Sequence, residues 1–292
     1  DFHFYDTTGN PSVGLGKISV DAEADITNPL LDAFIDDVDV VTYEFEHLPL
    51  ELTKYIESKV TLFPSSESLR ICQNRVEEKS LFNRLGIPTA KYRVITSELE
   101  LEAAVEVLGT PVVVKTTTEG YDGKGQFVIK DQSQCSEAWK LIGNRELIVE
   151  SFVNFSRELS VIAVRSVNDE MRVFPLAENS HHEGILRYST APAPKVDEDL
   201  SRQAQLYIKE LMHELEHVGI LTLELFETAT GLVANEMAPR VHNSGHWSIE
   251  GASCSQFENH LRAISGLPLG ETEAKRPTCM INIISEKGDI NS

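Results

Sequence analysis

At 292 residues the chain is long enough to bury a sizeable core in two or three domains. Its net charge of -20 at pH 7 excludes the basic face that binding to a nucleic-acid backbone requires, so we expect no nucleic-acid partner. No apolar run reaches the roughly 18 residues of a membrane helix, and the four cysteines have neither metal-ligand nor redox-motif spacing. These features predict a cytoplasmic protein without a membrane partner, in which any anion site is a local cluster of positive charge.

The N-terminal stretch alternates strand and helix patterns. Strands are predicted at 2–5 and 39–45, and helices at 48–58 and 66–85, the second of them followed by a glycine and a proline. This alternation predicts a parallel α/β layer. The chain begins without methionine inside the first strand pattern and stops soon after another at 280–284, so both ends look cut.

A compact α+β unit comes next. Its predicted elements are helices at 97–108 and 133–142 and strands at 111–115, 126–129 and 147–150.

A third unit follows, with strands predicted at 157–166 and 171–178 and a long helix at 197–218. The apolar residues of that helix recur on one face, as expected for a helix packed on a core. Strands at 220–226 and 232–237 then carry acidic side chains.

A glycine-rich loop at 116–126 joins two of the predicted strands. Its glycines would let backbone N–H groups face a phosphate, while Lys115 before the loop and Lys124 within it add positive charge. The spacing is neither that of a P-loop nor that of a dinucleotide fingerprint. The alternative interpretation is a hairpin without a binding function, in which the lysine is simply exposed. The pattern does not decide between the two.

Glu224 and Glu236 lie in neighbouring predicted strands. A buried carboxylate is costly unless it is paired or metal-bound, and Mg²⁺ takes a few carboxylate oxygens together with substrate phosphates. The alternative to a metal site is that these carboxylates have a purely structural role as ion-pair partners of an arginine. The segment 234–247 adds amides, Arg240 and two imidazoles, which suits an anionic substrate beside a magnesium-bound triphosphate. Adjacent histidines in a strand point to opposite faces, so His181 and His182 do not predict a zinc site.

The motifs GYDGKGQ, NFSRELSV, HHEGILR, LELF and NEMAPRVHNSGHW, read in order, resemble those of one family. It is the family of 5-(carboxyamino)imidazole ribonucleotide synthases, ATP-grasp enzymes of de novo purine synthesis, and the resemblance spans roughly residues 40–285. It implies an ATP-grasp fold of mixed α/β and α+β class with an N-terminal Rossmann-like (pre-ATP-grasp) domain at 1–86. A small subdomain carrying the glycine lid would occupy 87–149, and a large subdomain carrying the metal and substrate site would occupy 150–292.

The resemblance also implies a nucleotide site between the two ATP-grasp subdomains. Glu224 and Glu236 would bind Mg²⁺, Glu158 would hold the ribose, and residues 150–153 would read adenine through backbone groups. The nucleotide-binding residues carried over by position are Arg75, Lys115, Gly120, Tyr121, Asp122, Gly123, Lys124, Gly125, Gln126, Glu150, Ser151, Phe152, Val153, Glu158, His181, Asn235 and Glu236.

The implied reaction phosphorylates bicarbonate with ATP to carboxyphosphate, whose carboxyl group is captured by the amine of 5-aminoimidazole ribonucleotide. A homodimer is also implied. The implied catalytic residues, which would line the bicarbonate and ribotide site, are Tyr121, Asp122, Arg240, His242, Asn243 and His246.

The sequence departs from the family pattern in three places. The family's first glycine-rich turn and its basic C-terminal segment, which grips the ribotide phosphate, fall outside this chain, and Lys124 stands where many relatives carry arginine. Two alternatives stay open: another ATP-grasp ligase, such as a formate-dependent ribotide transformylase or a biotin-carboxylase-like protein, and a non-catalytic nucleotide-binding subunit. Retention of Lys115, Glu224 and Glu236 favours an enzyme.

Overall fold

The structure is a computed structural model, and it describes residues 1–11, 14–118 and 125–284. The N-terminal region contains two short parallel strand pairs, which confirms the predicted parallel α/β layer. Its core includes Leu31, Val41, Leu52 and Leu62. Its elements are β1 (His3–Asp6), β2 (Lys17–Val20), α1 (Pro29–Ile35), β3 (Val40–Val41), α2 (Leu50–Glu57), β4 (Thr61–Leu62) and α3 (Ser66–Cys72).

Two predictions for this region were wrong. The predicted strand at 39–45 is only the two residues of β3. The predicted single helix at 66–85 is broken into α3 and α4 (Arg75–Arg84). Asn74 causes the break, because its extended backbone leaves the helix and its side chain accepts bonds from the N–H groups of Val76 and Glu77. The break lets Arg75 N donate to Thr117 O, which joins the start of α4 to the end of the next unit's central strand.

The middle unit is an antiparallel sheet of strand order β5-β8-β6-β7 with two helices packed against it. Burial alternates along the central strand, so Val112, Val114 and Thr116 face the core while Val113 and Lys115 face the other side. That other side becomes one wall of a cleft. The elements are β5 (Tyr92–Ile95), α5 (Glu98–Leu108), β6 (Val112–Thr116), β7 (Gln126–Ile129), α6 (Cys135–Ile142) and β8 (Leu147–Ser151).

The third unit is built on a larger sheet of order β14-β13-β9-β11-β12-β15, with β10 paired to β9. Both faces are covered: Leu159 and Val161 contribute to the core that contains α4 and α7, and Ile162 and Val164 contribute to the core that contains Trp247. The strands are β9 (Arg157–Arg165), β10 (Met171–Val173), β11 (Ala177–His182), β12 (Ile185–Ala191), β13 (Gly219–Thr228), β14 (Gly231–Ala238) and β15 (Thr278–Ile281). The helices are α7 (Glu198–Glu214), α8 (Ser248–Gly251) and α9 (Gln256–Ile264).

The element predictions for this unit need several corrections. The strand predicted at 171–178 is interrupted between β10 and β11, where Pro175 lacks an N–H to donate to a ladder. The helix predicted at 197–218 ends at Glu214, and the strand predicted at 280–284 is β15, which ends at Ile281. Strand β12 and helix α9 were missed. The domain boundaries predicted at 86 and 149 stay predictions.

Two buried histidines join the N-terminal region to β13. His217 lies between Ser68 Oγ, 2.8 Å from Nδ1, and Ile220 O, 2.9 Å from Nε2. His260 accepts a bond from Ile220 N at Nδ1, while its Nε2 lies 2.7 Å from Thr42 Oγ1. Burial lowers the pKa of His217 to about 3 and that of His260 to about 4. Both side chains therefore join the regions as neutral imidazoles. Within the described residues no helix is long and apolar enough to cross a membrane.

Candidate active site between the two sheets

A β-bulge brings the acidic residues of β13 and β14 together. Leu223 pairs with Met237 and Leu225 pairs with Ala234, so two residues of β14 oppose the single residue Glu224. Those two residues are Asn235 and Glu236. Because a bulge re-aims side chains, Asn235 and Glu236 both reach the cleft that Glu224 faces, although they are sequence neighbours.

The bulge places two carboxyl groups beside each other. Burial first, and the charge of Glu236 second, raise the pKa of Glu224 to about 8. Asn235 hydrogen-bonds Glu224 and partly offsets this rise. A carboxylate pair that faces a cleft and repels itself is the kind of group that a divalent cation stabilises. The described residues include no group of three or more His, Cys, Asp or Glu side chains that could hold a metal ion.

Two side chains of helix α4 hydrogen-bond to the backbone of the bulge. Glu78, 2% exposed, accepts a bond of 2.6 Å from Met237 N. Its buried neighbour Lys79 lies 3.4 Å from Asn235 O. Burial, together with the charge of Glu236, raises the pKa of Glu78 to about 8. The two helix residues hold the backbone on both sides of Glu236.

Glu224 and Glu236 face two adjoining clefts, which also share Arg75 and His181. We name them by the ligands that the sequence resemblance implies. The nucleotide cleft lies between the middle sheet and the large sheet, and the substrate cleft lies between the N-terminal region and the large sheet. The nucleotide cleft is lined by Lys115, Gly125, Gln126, Glu150, Ser151, Phe152, Val153, Phe155, Glu158, Phe226 and Asn235, among others. The substrate cleft is lined by Glu46, His47, Gln73, Glu78, Arg240, His242 and Asn243, among others.

Charged pairs occupy the polar end of the nucleotide cleft. Lys115 Nζ lies 3.0 Å from Glu150 Oε2. Burial tends to raise the pKa of Glu150, but Lys115 and Lys79 outweigh it and the pKa is lowered. Arg75 donates from Nη1 to Thr116 O, which keeps its guanidinium beside the end of β6.

The opposite end of the nucleotide cleft is apolar. Phe155 stacks on Phe226 with ring centroids 4.5 Å apart and planes inclined by 12°. Val113 and Val128 line the opposing wall. A flat apolar slot beside the backbone of residues 150–153 suits a planar base.

Glu158 and His181 form a hydrogen-bonded pair on neighbouring strands. Burial tends to lower the pKa of His181, but Glu158 outweighs it and the pKa is raised. His182 is exposed and lines neither cleft among the described residues, as its opposite orientation in the strand predicted.

Arg240 is the main cation of the substrate cleft. Its Nε and Nη2 lie 3.1 and 2.9 Å from Glu46 Oε2, and Nη1 donates to Val241 O. Glu46 belongs to the N-terminal region, and its carboxylate therefore holds the Arg240 guanidinium from the other side of the cleft.

His242 is held as a neutral imidazole with a defined tautomer. Burial, helped by the charge of Arg240, lowers its pKa to about 3. The N–H of Ser244 points at Nδ1, which makes Nδ1 an acceptor and leaves the proton on Nε2. Nε2 lies 3.4 Å from Glu224 Oε1. The imidazole therefore presents a donor to the carboxylate.

Gln256 fixes the turn that carries His242. This residue is 0% exposed, and its amide accepts from His242 N at 3.0 Å and donates to His242 O at 2.7 Å. Gly245 passes so close that an added Cβ would lie 2.4 Å from Gln256 Oε1. The turn is thus packed too tightly for any side chain at 245.

The structure brings most of the predicted site residues to these clefts. His246 is the exception, because its Nδ1 bonds to Asn243 O and its ring packs edge-on against Phe257, and it is not among the described residues lining either cleft. Gly120, Tyr121, Asp122, Gly123 and Lys124 lie outside the described residues. The individual roles of all these residues stay predictions.

Sequence reasoning missed Glu46, Glu78, Lys79 and Gln256. Glu46 follows a short apolar pattern that already contained a second glutamate, which was a usable signal. Nothing in the sequence distinguishes Glu78, Lys79 and Gln256 from exposed polar positions. Only burial distinguishes them.

Comparison with known proteins identifies the family. The profile of the ATP-grasp domain matches residues 80–257, and that of the ribonucleotide synthetase preATP-grasp domain matches residues 2–73. The chain is 47% identical to N5-carboxyaminoimidazole ribonucleotide synthase of Pseudomonas aeruginosa over 249 residues, 85% of this chain and 68% of that protein. This chain belongs to the N5-carboxyaminoimidazole ribonucleotide synthase family.

Solved structures agree. The crystal structure of the Thermus thermophilus synthetase gives a TM-score of 0.91 at 42% identity, covering 98% of this chain and 78% of that one. The structure of the Aspergillus clavatus enzyme, solved with ADP and 5-aminoimidazole ribonucleotide, gives a TM-score of 0.82 at 31% identity. The match covers 89% of this chain and 69% of that one. The predicted ATP-grasp fold with a pre-ATP-grasp domain is confirmed, and this synthase-family chain is an ATP-grasp ligase of purine biosynthesis.

Proposed function

We propose that this chain carboxylates 5-aminoimidazole ribonucleotide to 5-(carboxyamino)imidazole ribonucleotide, consuming ATP and bicarbonate by way of carboxyphosphate. The observation that carries the proposal is the meeting of two clefts at Glu224 and Glu236, since both residues line both clefts. One cleft suits a nucleotide and the other suits a smaller anion. Their junction is where a phosphoryl group would pass from one to the other.

In the nucleotide cleft, adenine would lie in the slot floored by Phe226, beside the backbone of residues 150–153. Glu158, oriented by His181, would accept from the ribose hydroxyls. Lys115 and Arg75 would contact the phosphates at the polar end, where their positive charge offsets that of the triphosphate. The relatives solved with ATP or ADP support a nucleotide in this cleft.

Glu224 and Glu236 fit Mg²⁺, because they present hard carboxylate oxygens on a shared wall and repel each other without a cation. The ion, when bound, neutralises charge that develops on the transferred phosphoryl group. Asn235 would keep the Glu224 carboxylate oriented toward it.

In the substrate cleft, Arg240 would bind bicarbonate or the ribotide, exchanging its present partner Glu46 for the substrate anion. His242 is neutral and donates from Nε2, so it would orient an anionic oxygen rather than take a proton. Asn243 would add an amide on the exposed side of the turn. The walls would exclude water from the carboxyphosphate, which hydrolysis would destroy.

Two further features belong to the proposal. The resemblance leads us to propose a homodimer, which light scattering after gel filtration tests directly. All four cysteines are unpaired, which supports a cytoplasmic protein.

The reaction is tested by measuring ADP formation with Mg²⁺, ATP and bicarbonate, with and without 5-aminoimidazole ribonucleotide. Ribotide-stimulated turnover that disappears in Glu236→Ala is the expected result. Replacing bicarbonate by formate should abolish turnover. Equal stimulation by formate would instead indicate a transformylase-type ligase, and ATP binding with no turnover would contradict the carboxylation proposal.

A further inference from the structure

Lys79 is a buried lysine for which the proposed reaction has no direct use. Its side chain is 2% exposed. Lysine is almost never buried this completely unless its charge is paired. Its Nζ lies 3.1 Å from Thr89 Oγ1, 3.2 Å from Glu150 Oε1 and 3.4 Å from Asn235 O. The acceptors in Thr89 and Asn235 take hydrogen bonds from the ammonium group, and the acceptor in Glu150 forms an ion pair with it.

Those acceptors come from three parts of the fold. Glu150 lies near the end of β8 in the middle sheet, and Asn235 lies in the bulge of β14 in the large sheet. Thr89 lies on the segment between α4 and β5, and its Oγ1 also donates to Ala234 O. Lys79 therefore sits where the two walls of the nucleotide cleft meet.

The carboxylate of Glu150 has two cationic partners. Lys79 contacts Oε1 and Lys115 contacts Oε2 at 3.0 Å. The two lysines differ in access, because the Lys115 side chain is 16% exposed and the Lys79 side chain is 2% exposed. Both line the cleft, and the more accessible Lys115 is the one better placed to turn from Glu150 toward a group that enters it.

We propose that Lys79 is a positioning residue that keeps Glu150 neutralised when Lys115 moves from this carboxylate to the nucleotide phosphates. The inference rests on the proposed nucleotide role of Lys115. Without Lys79, the departure of Lys115 would leave a buried carboxylate with no cation, which is strongly unfavourable. Glu150 would then compete with the phosphates for Lys115. Lys79 removes that competition, and it does so without touching the nucleotide.

The test compares ADP binding with adenosine binding, the second measured by competition against ADP. Adenosine has no phosphate for Lys115 to contact. Lys79→Met keeps the length of the side chain and removes its charge. We expect it to weaken ADP binding about tenfold, equivalent to ~1.4 kcal/mol, and adenosine binding by less than about twofold. Equal losses for the two ligands would mean that Lys79 only shapes the cleft, which would overturn the proposal.

Neutralising Glu150 supplies the decisive control, because the double variant Lys79→Met with Glu150→Gln holds no buried unpaired charge at this site. In Glu150→Gln there is no carboxylate to compete with the phosphates for Lys115. Adding Lys79→Met to this variant should therefore change ADP affinity by less than about twofold. A tenfold loss in the double variant relative to Glu150→Gln alone would overturn the proposal. This comparison holds even where Lys79→Met alone folds poorly. ADP binding by the unsubstituted protein without ribotide-stimulated turnover would contradict the proposed reaction and leave this test intact, whereas failure to bind ADP at all would overturn both.

Discussion

Glu236 reaches the same cleft as Glu224 because a β-bulge in β14 places it, together with Asn235, opposite that single residue of β13. In a regular ladder, Asn235 and Glu236 would point to opposite faces of the sheet. The bulge therefore creates the carboxylate pair, and α4 holds it through the bonds of Glu78 and Lys79 to the backbone on either side.

Glu236→Gln should separate catalysis from stability. Turnover should fall at least about a hundredfold, because one of the two oxygens proposed for the metal is replaced by a neutral amide. The free energy of unfolding should stay within about 0.5 kcal/mol, because Glu236 is exposed. ADP formation and urea denaturation measure the two effects. A loss of stability that matched the loss of activity would contradict a specific role.

Arg240→Lys should affect only the substrate cleft. Lysine keeps the charge but loses the fork that now contacts Glu46 through two nitrogens. Ribotide-dependent turnover should fall about a hundredfold while ADP affinity is unchanged within about twofold. Turnover assays and calorimetric ADP titration provide the comparison. Weakened ADP binding would show that the two clefts are not separable in this way.

Gly245→Ala should destabilise the protein by about 1–3 kcal/mol. The new Cβ would lie 2.4 Å from Gln256 Oε1 and 2.6 Å from Ile162 Cδ1, and both of these side chains are buried. Gly14→Ala is the matched control, since an added Cβ there meets nothing within 4 Å. Urea denaturation of both variants should show a loss only at 245. An unchanged midpoint for Gly245→Ala would mean that the turn relaxes freely.

His217 should make the protein acid-sensitive. Burial lowers its folded-state pKa to about 3, below the unfolded value near 6.5, so between these values the unfolded chain binds more protons. The contribution of His217 to the free energy of unfolding is complete above about pH 6.5. As the pH falls below that value, it is lost at up to about 1.4 kcal/mol per pH unit. His217→Gln should reduce the difference in unfolding free energy between pH 7 and pH 5.

The control for that experiment is His213→Gln, because His213 is an exposed residue of α7. Chemical denaturation at both pH values should show the wild-type difference in this variant. The same pH dependence in His217→Gln would contradict the assignment of acid sensitivity to this imidazole.

Sequence patterns predicted elements whose signals are local. The long amphipathic helix over 197–218 was recognised from the spacing of its apolar residues, although it ends at Glu214 rather than at 218. The predicted helix at 66–85 is interrupted at 73–74, because the side-chain cap formed by Asn74 competes with continuing the helix. Strand β12 was missed because its residues do not alternate regularly between apolar and polar: Ser189 is buried and Tyr188 is exposed.

In the candidate site, too, only the features formed by residues near each other in sequence could be predicted. The sequence by itself determined the chemistry: a glycine-rich loop, a carboxylate in each of two adjacent strands, and an arginine–histidine segment, all visible because they are near neighbours along the chain. Only the tertiary structure decided how these groups are held. Glu46 and Arg240 are 194 residues apart in sequence, and Lys79 and Asn235 are 156 apart. The physical reason is burial: a charge on a surface helix and a charge enclosed between two sheets look identical in sequence, and only packing makes the second one require a partner.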